Sequence, residues 1–207
     1  MKEILTSLPP YLAEFLTYFI PVALLQNVIL NYGFGSSIML HAVKKPKTIW
    51  LFSGILGAFS LLTVLIAYPL DNWLFETDMT NVWRPLMLVG ITALVYVAAS
   101  LLLQWLLPVF YHRVSRLLPM AAFNNLVTGI ALICNAHFNT TLIGNVGMAL
   151  GAALSFGMIT WLTAEGMERM DNPDMPEAFR GAPSTLLYVG LLALALMGFV
   201  SEFSLII

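Results

Sequence analysis

Residues 21–29, Pro-Val-Ala-Leu-Leu-Gln-Asn-Val-Ile, are echoed 98 residues later by residues 119–127, Pro-Met-Ala-Ala-Phe-Asn-Asn-Leu-Val. Proline, alanine and asparagine are identical, and Gln26 against Asn124 keeps an amide. The same offset carries Pro85 onto Pro183. Both phrases sit in apolar sequence, where a proline removes a backbone donor and a side-chain amide must find a partner. Interrupted apolar segments at matching places in two halves point to a membrane protein with a polar site at the interface of a repeat. That expectation constrains the fold more than any other feature of the chain.

Composition agrees. The 207 residues are 59% hydrophobic and 10% charged, with mean hydropathy +0.87, whereas soluble domains carry about 25% charged residues. This excludes an ordinary soluble domain and predicts an all-α integral membrane protein. Six spans follow from the apolar runs, at residues 11–34, 49–70, 85–110, 117–136, 142–164 and 183–201. They divide into a first repeat over about 11–110 and a second over about 117–203, within a single domain of 1–207. Three spans per half is an odd number, so the halves run in opposite senses and the repeat is inverted. The first span (Gln26, Asn27, Asn31, Gly33, Gly35) and the fourth (Asn124, Asn125, Gly129) are the poorest helices and are expected to be interrupted.

Loop charge orients the spans. Lys44, Lys45, Lys47, Arg113, Arg116, Arg169 and Arg180 fall on one side, which the positive-inside rule makes cytoplasmic, with both termini outside. Asp71, Glu76 and Asp78 then lie in an outer loop, with Trp73 and Trp83 as headgroup anchors. No signal peptide is read at the start of the chain. The lone Cys134 cannot supply a multi-cysteine metal site by itself.

Gln26, Asn27, Asn31, Asn124 and Asn125 are the polar residues of interest. They either cap half-helices freed by Pro21 and Pro119, or line a hydrated ion path; the two roles are compatible. No Asp, Glu, Lys or Arg lies near the middle of a span. Intramembrane carboxylates are the usual proton-relay groups, so their lack counts against a self-contained proton antiporter. Gly144, Gly147, Gly151 and Gly157, with neighbouring alanines, give the fifth span a small-residue face suited to a close helix seam. Arg84 reads as an interfacial anchor, and His41, His112, His137, Asn139, Thr140 and Thr141 as loop or interface residues.

Taken together, Gln26-Asn27 with Lys44-Lys45, Leu118-Pro119 with Asn124 and Gly129, Glu168-Arg169, Pro176-x-x-Phe179-Arg180-Gly181 and the ending Leu196-Met197-Gly198-Phe199 carry a resemblance. Over nearly its whole length the chain resembles the Rnf/Nqr membrane subunits of the RnfA/NqrE type, which belong to ion-translocating electron-transport complexes. The resemblance implies six helices in an inverted repeat with the first and fourth broken. It further implies a [2Fe–2S] cluster held by cysteines that two such subunits contribute together. Here those two positions read Ser37 and Asn125. Iron–sulfur clusters are held by thiolates, so no cluster of the family type is expected and no metal or other cofactor is assigned.

The expected function is therefore that of a cluster-free, non-catalytic membrane subunit of a redox-driven translocase in a prokaryotic cell membrane, with Na+ or H+ as the transported ion. Its expected surroundings are the bilayer, redox subunits and a homologous six-helix subunit, with no nucleic acid. Phe179, Arg180 and Gly181 form an expected cytoplasmic docking loop. The rival reading is a self-standing inverted-repeat transporter or channel.

Overall fold

The structure is a computed structural model that describes residues 9–25, 30, 32–43, 46–74, 80–136, 141–170 and 176–203. Gln26, Asn27 and Asn31, with Lys44, Lys45, His137, Asn139 and Thr140, lie outside the described residues. Among the described residues the chain is helical and no strand occurs.

Helix α1 (Pro10–Ile20) opens on a proline at its first position, where no intrahelical donor is needed. It runs into a π-helical stretch, Pro21–Leu25, the kind of local widening that absorbs a disturbed hydrogen-bond ladder. Short α2 (Ser36–Ala42) follows the turn at Gly33–Gly35. The long helices α3 (Ile49–Leu74) and α4 (Thr80–Leu106) complete the first half. Helix α5 (Pro108–Val114) joins the halves, and the second half holds α6 (Leu117–Ala122), α7 (Asn125–Ala136), α8 (Leu142–Met170) and α9 (Ala182–Phe203).

Four segments are long and apolar enough to cross a bilayer: Pro46–Leu70, Trp83–Leu106, Leu117–Cys134 and Leu142–Met170. The expected first and sixth spans correspond to the shorter apolar helices Pro10–Leu24 and Ala182–Leu196. The expected third span, 85–110, is displaced: α4 starts at Thr80 and ends at Leu106, and α5 begins two residues on. Pro108 disfavours helical backbone at the residue before it, and Leu107 takes φ −138°, ψ 63°. Helix α8, the expected fifth span, runs to Met170, six residues past expectation, with an Arg169–Glu165 ion pair at 3.2 Å on its last turns.

Helices α3 and α8 form the centre of the molecule and run antiparallel. A β-carbon on Gly57 would meet Ala153 at 2.8 Å, and one on Gly157 would meet the Ser53 hydroxyl at 2.9 Å. Ser53 Oγ donates to the Ala153 carbonyl at 2.6 Å, tying the two helices together. Some of the remaining helices pack crosswise between the halves. From the first half, α1 lies along α8, while α6 and α7 of the second half lie along α3. Helix α4 packs on α3, and α9 packs on α8.

The small-residue face of α8 explains the first of these contacts. Gly147 faces the Phe15 carbonyl and Gly151 the Phe19 carbonyl, each with 2.8 Å to an added β-carbon. Backbone lies against backbone there, which only a residue without a side chain permits. Close approach of this kind substitutes for a hydrophobic driving force between helices in lipid. At the α1 end, Thr141 Oγ donates to the Glu14 carboxylate and accepts the Gly144 N–H at 3.3 Å, so one hydroxyl joins α1 to the start of α8.

Candidate functional site: two helix interruptions that meet

The first interruption, at Gly33–Phe34–Gly35, has φ of +69° at Gly33 and +78° at Gly35. That region penalises any residue with a β-carbon. The turn closes with Ser36 N–H on the Gly33 carbonyl (3.3 Å) and Met39 N–H on the Gly35 carbonyl (2.9 Å), which starts α2.

The second interruption, at Phe123–Asn124, is built differently. Pro119 is the third residue of α6, within the first turn, where its missing N–H breaks nothing. The helix is not broken at Pro119 itself, as the reading of a half-helix freed there expected; the break falls later, at Asn124. Its Oδ1 accepts the Leu126 N–H at 3.0 Å and its carbonyl accepts the Val127 N–H at 3.0 Å, so Asn124 caps α7.

The two interruptions touch. A β-carbon on Gly35 would stand 3.6 Å from Asn124 Nδ2 and 3.3 Å from the Phe156 ring, and the Phe34 ring lies directly on Gly129 of α7. Phe156 of α8 packs on Phe52 of α3, with ring centroids 5.5 Å apart, so both central helices close over the junction. Asn124 is 2% exposed, and its Nδ2 has no hydrogen-bond partner among the described residues.

Ser37 and Asn125 are exposed, in the first turns of α2 and α7, each just after an interruption. Both positions therefore sit beside the junction at the surface of the chain. Their side chains offer a hydroxyl and an amide, neither of which fits the thiolate requirement of an iron–sulfur cluster. Cys134 does not replace them: it is fully buried on α7 with its sulfur 3.8 Å from Met148 Sδ. Among the described residues no group of three His, Cys, Asp or Glu could hold a metal ion.

Sequence reasoning passed over a second polar feature. Ser60 and Thr63 on α3 and Ser155 and Thr160 on α8 are buried hydroxyls without a hydrogen-bond partner among the described residues. Asn145 and Thr163 are buried on α8 as well. Short hydroxyls scattered through an apolar run were their only signal, and that pattern does not say which of them face inward.

Phe179 and Arg180 are exposed, with Gly181 at φ +82°. The Ser184 hydroxyl donates to the Phe179 carbonyl, and Thr185 Oγ donates to the Gly181 carbonyl at 3.0 Å, fixing the loop on the first turn of α9. It borders a cleft of about 710 Å³ with residues of α2 and α8.

Comparison with known proteins agrees with this architecture. Residues 15–201 match the family described as "Rnf-Nqr subunit, membrane protein". A protein of Pasteurella multocida (strain Pm70), named as one subunit of an ion-translocating oxidoreductase complex, is 30% identical over 190 residues, covering 91% of this chain and 97% of its own. Its namesakes in Actinobacillus pleuropneumoniae serotype 5b (strain L20) and Vibrio vulnificus (strain YJ016) are 28% and 26% identical over the same shares of each chain. The match spans both helix interruptions and reaches into every long helix, and the chain belongs to the Rnf-Nqr family of membrane subunits.

Proposed function

We propose that this chain is a membrane subunit of an ion-translocating electron-transport complex and that it works there without an iron–sulfur cluster of its own. One observation carries the second part. The paired interruptions remain, and they close on each other through Gly35, Asn124 and Phe156. Yet the two positions where the family resemblance places cluster cysteines carry Ser37 and Asn125. The scaffold is kept while the electron-carrying chemistry is gone.

In this reading the chain supplies shape and polarity. Exposed Ser37 and Asn125, on the first turns of α2 and α7, mark a face that a homologous subunit covers. The buried hydroxyls along α3 and α8 provide oxygens that water or a small cation can use, while the Asn124 amide nitrogen can donate to water. Oxygen ligands suit Na+, and the described spans offer no carboxylate relay for protons near their middle. The crosswise packing of α1 on α8 and of α6–α7 on α3 supports two inverted three-helix repeats. Loop charge supports termini outside a prokaryotic cell membrane. The names of the relatives favour a complex over a self-standing transporter.

Isolation from native membranes in mild detergent, followed by mass spectrometry, tests the complex. Recovery with redox subunits and a second six-helix subunit is expected; recovery of the chain alone sinks the reading. The covered face is tested by placing a thiol there. Ser37→Cys in the isolated chain should react with a polar maleimide, whereas buried Cys134 should not. In the complex, labelling of Ser37→Cys should drop at least about tenfold, as expected for a site moved from exposed to covered. Equal labelling in both states would remove Ser37 from the interface.

A further inference from the structure

We propose that the cleft between α2, α8 and α9 binds one phospholipid with an ammonium–phosphate headgroup, of the phosphatidylethanolamine class. The cleft holds about 710 Å³ and has two unlike walls. One is acidic: Glu165 and Glu168 lie on the last turns of α8, whose C-terminal end adds partial negative charge. Arg169 pairs with Glu165 at 3.2 Å in an exposed ion pair on the same turns. The other wall is basic: Arg180 stands beside Gly181, just before the N-terminal end of α9, which adds partial positive charge. Two helix ends of opposite sign and side chains of matching sign thus face one space.

A simple anion or cation would satisfy one wall and be repelled by the other. A zwitterion satisfies both, with its phosphate toward Arg180 and its ammonium toward Glu165 and Glu168. The lining also carries apolar side chains, Leu40, Val43, Trp161, Met167 and Met170. Trp161 is exposed one turn inward from Glu165, and Leu162 beside it is exposed too. Toward the span the α8 wall therefore passes from Glu165 to Trp161, an arrangement that suits an amphiphile. A primary ammonium donates hydrogen bonds to carboxylates, whereas a trimethylammonium has no N–H to donate. That selects the ethanolamine headgroup over choline.

Native mass spectrometry of the full chain in detergent, titrated with phosphatidylethanolamine, phosphatidylcholine and phosphatidylglycerol of the same acyl chains, decides the matter. One saturable phosphatidylethanolamine adduct is expected, about tenfold tighter than either other lipid, as one charge-assisted contact supplies. Glu165→Gln with Glu168→Gln should remove the preference over phosphatidylcholine, and Arg180→Gln should weaken phosphatidylethanolamine about tenfold. Equal retention of all three lipids overturns the proposal, as does tightest binding of phosphatidylglycerol, which would leave an anion site only. Retention of none, with the cleft filled by a protein segment in the isolated complex, overturns it as well. The ranking of lipids by the unaltered chain decides these outcomes even if a variant fails to fold.

Discussion

The two helix interruptions do one job by different means. In the first half the chain turns on backbone freedom: Gly33 and Gly35 adopt positive φ, and no side chain caps α2. In the second half it turns on a side chain: Asn124 caps α7, and among the described residues of this half no glycine with positive φ occurs before Gly181. Nor do they fall at equivalent places. Moved on by 98 residues, Gly33–Gly35 lands inside the unbroken α7. They nevertheless meet in space, Gly35 against Asn124 and Phe34 against Gly129. Each half keeps a place where its helix is broken, and the chemistry of each break is its own.

The sharpest way to break this comparison is Gly35→Val. A β-branched residue at φ +78° is strained, and its β-carbon would press on Phe156 at 3.3 Å. The expected loss is about 3 kcal/mol, read as unfolding in mixed detergent–denaturant micelles. Among the described residues a β-carbon on Gly33 would meet nothing within 4 Å, so Gly33→Val carries chiefly the backbone penalty and should lose less. Equal losses would mean that contact with Phe156 contributes nothing.

Next is Gly129→Ala, whose new methyl group would overlap the Phe34 ring. A loss of about 2 kcal/mol is expected, in the range for overpacked sites. Combining it with Phe34→Leu should recover about half of that, because residues in direct contact are not additive. Full additivity in that double-mutant cycle would show that the two breaks are energetically separate.

The smallest effect is expected at Asn124. Asn124→Ala removes the cap, which costs about 1 kcal/mol, but also removes a buried Nδ2 with no hydrogen-bond partner among the described residues, which offsets part of it. Asn124→Ser keeps a capping oxygen and drops the amide nitrogen, so it should match or exceed the parent in stability. If Asn124→Ser is as damaging as Asn124→Ala, the amide nitrogen has an acceptor that matters, as a water molecule or a neighbouring subunit would provide.

Where the site could be read in advance, it was through local chemistry. Asn124 as a capping amide followed from its type and its place beside a proline in an apolar run. Ser37 and Asn125 followed from the family resemblance, and both are exposed beside the junction. The proline argument was the part that misled: Pro119 lies in a first helical turn and breaks nothing. Only the register of the helix start tells a harmless proline from a disruptive one, and that register depends on packing. The hydroxyls at Ser60, Thr63, Ser155 and Thr160 were equally out of reach, because apolar residues surround them on every side of their helices and no periodic pattern marks an inner face.

By itself, the sequence determined that this is an α-helical membrane protein with one phrase echoed in its two halves, and with serine and asparagine where the family resemblance implies thiols. Composition, proline and amide placement and residue identity suffice for that, because lipid forces every backbone group to be satisfied within a helix or beside a polar partner. Tertiary structure alone decided that α1 packs on α8 and α6–α7 on α3, and that the two unlike breaks touch at Gly35 and Asn124. It alone set opposite helix ends across one cleft. In a bilayer nearly every face of a helix is apolar, so hydrophobicity cannot choose partners; close approach to backbone at Gly147 and Gly151, and to the Ala153 methyl at Gly57, does.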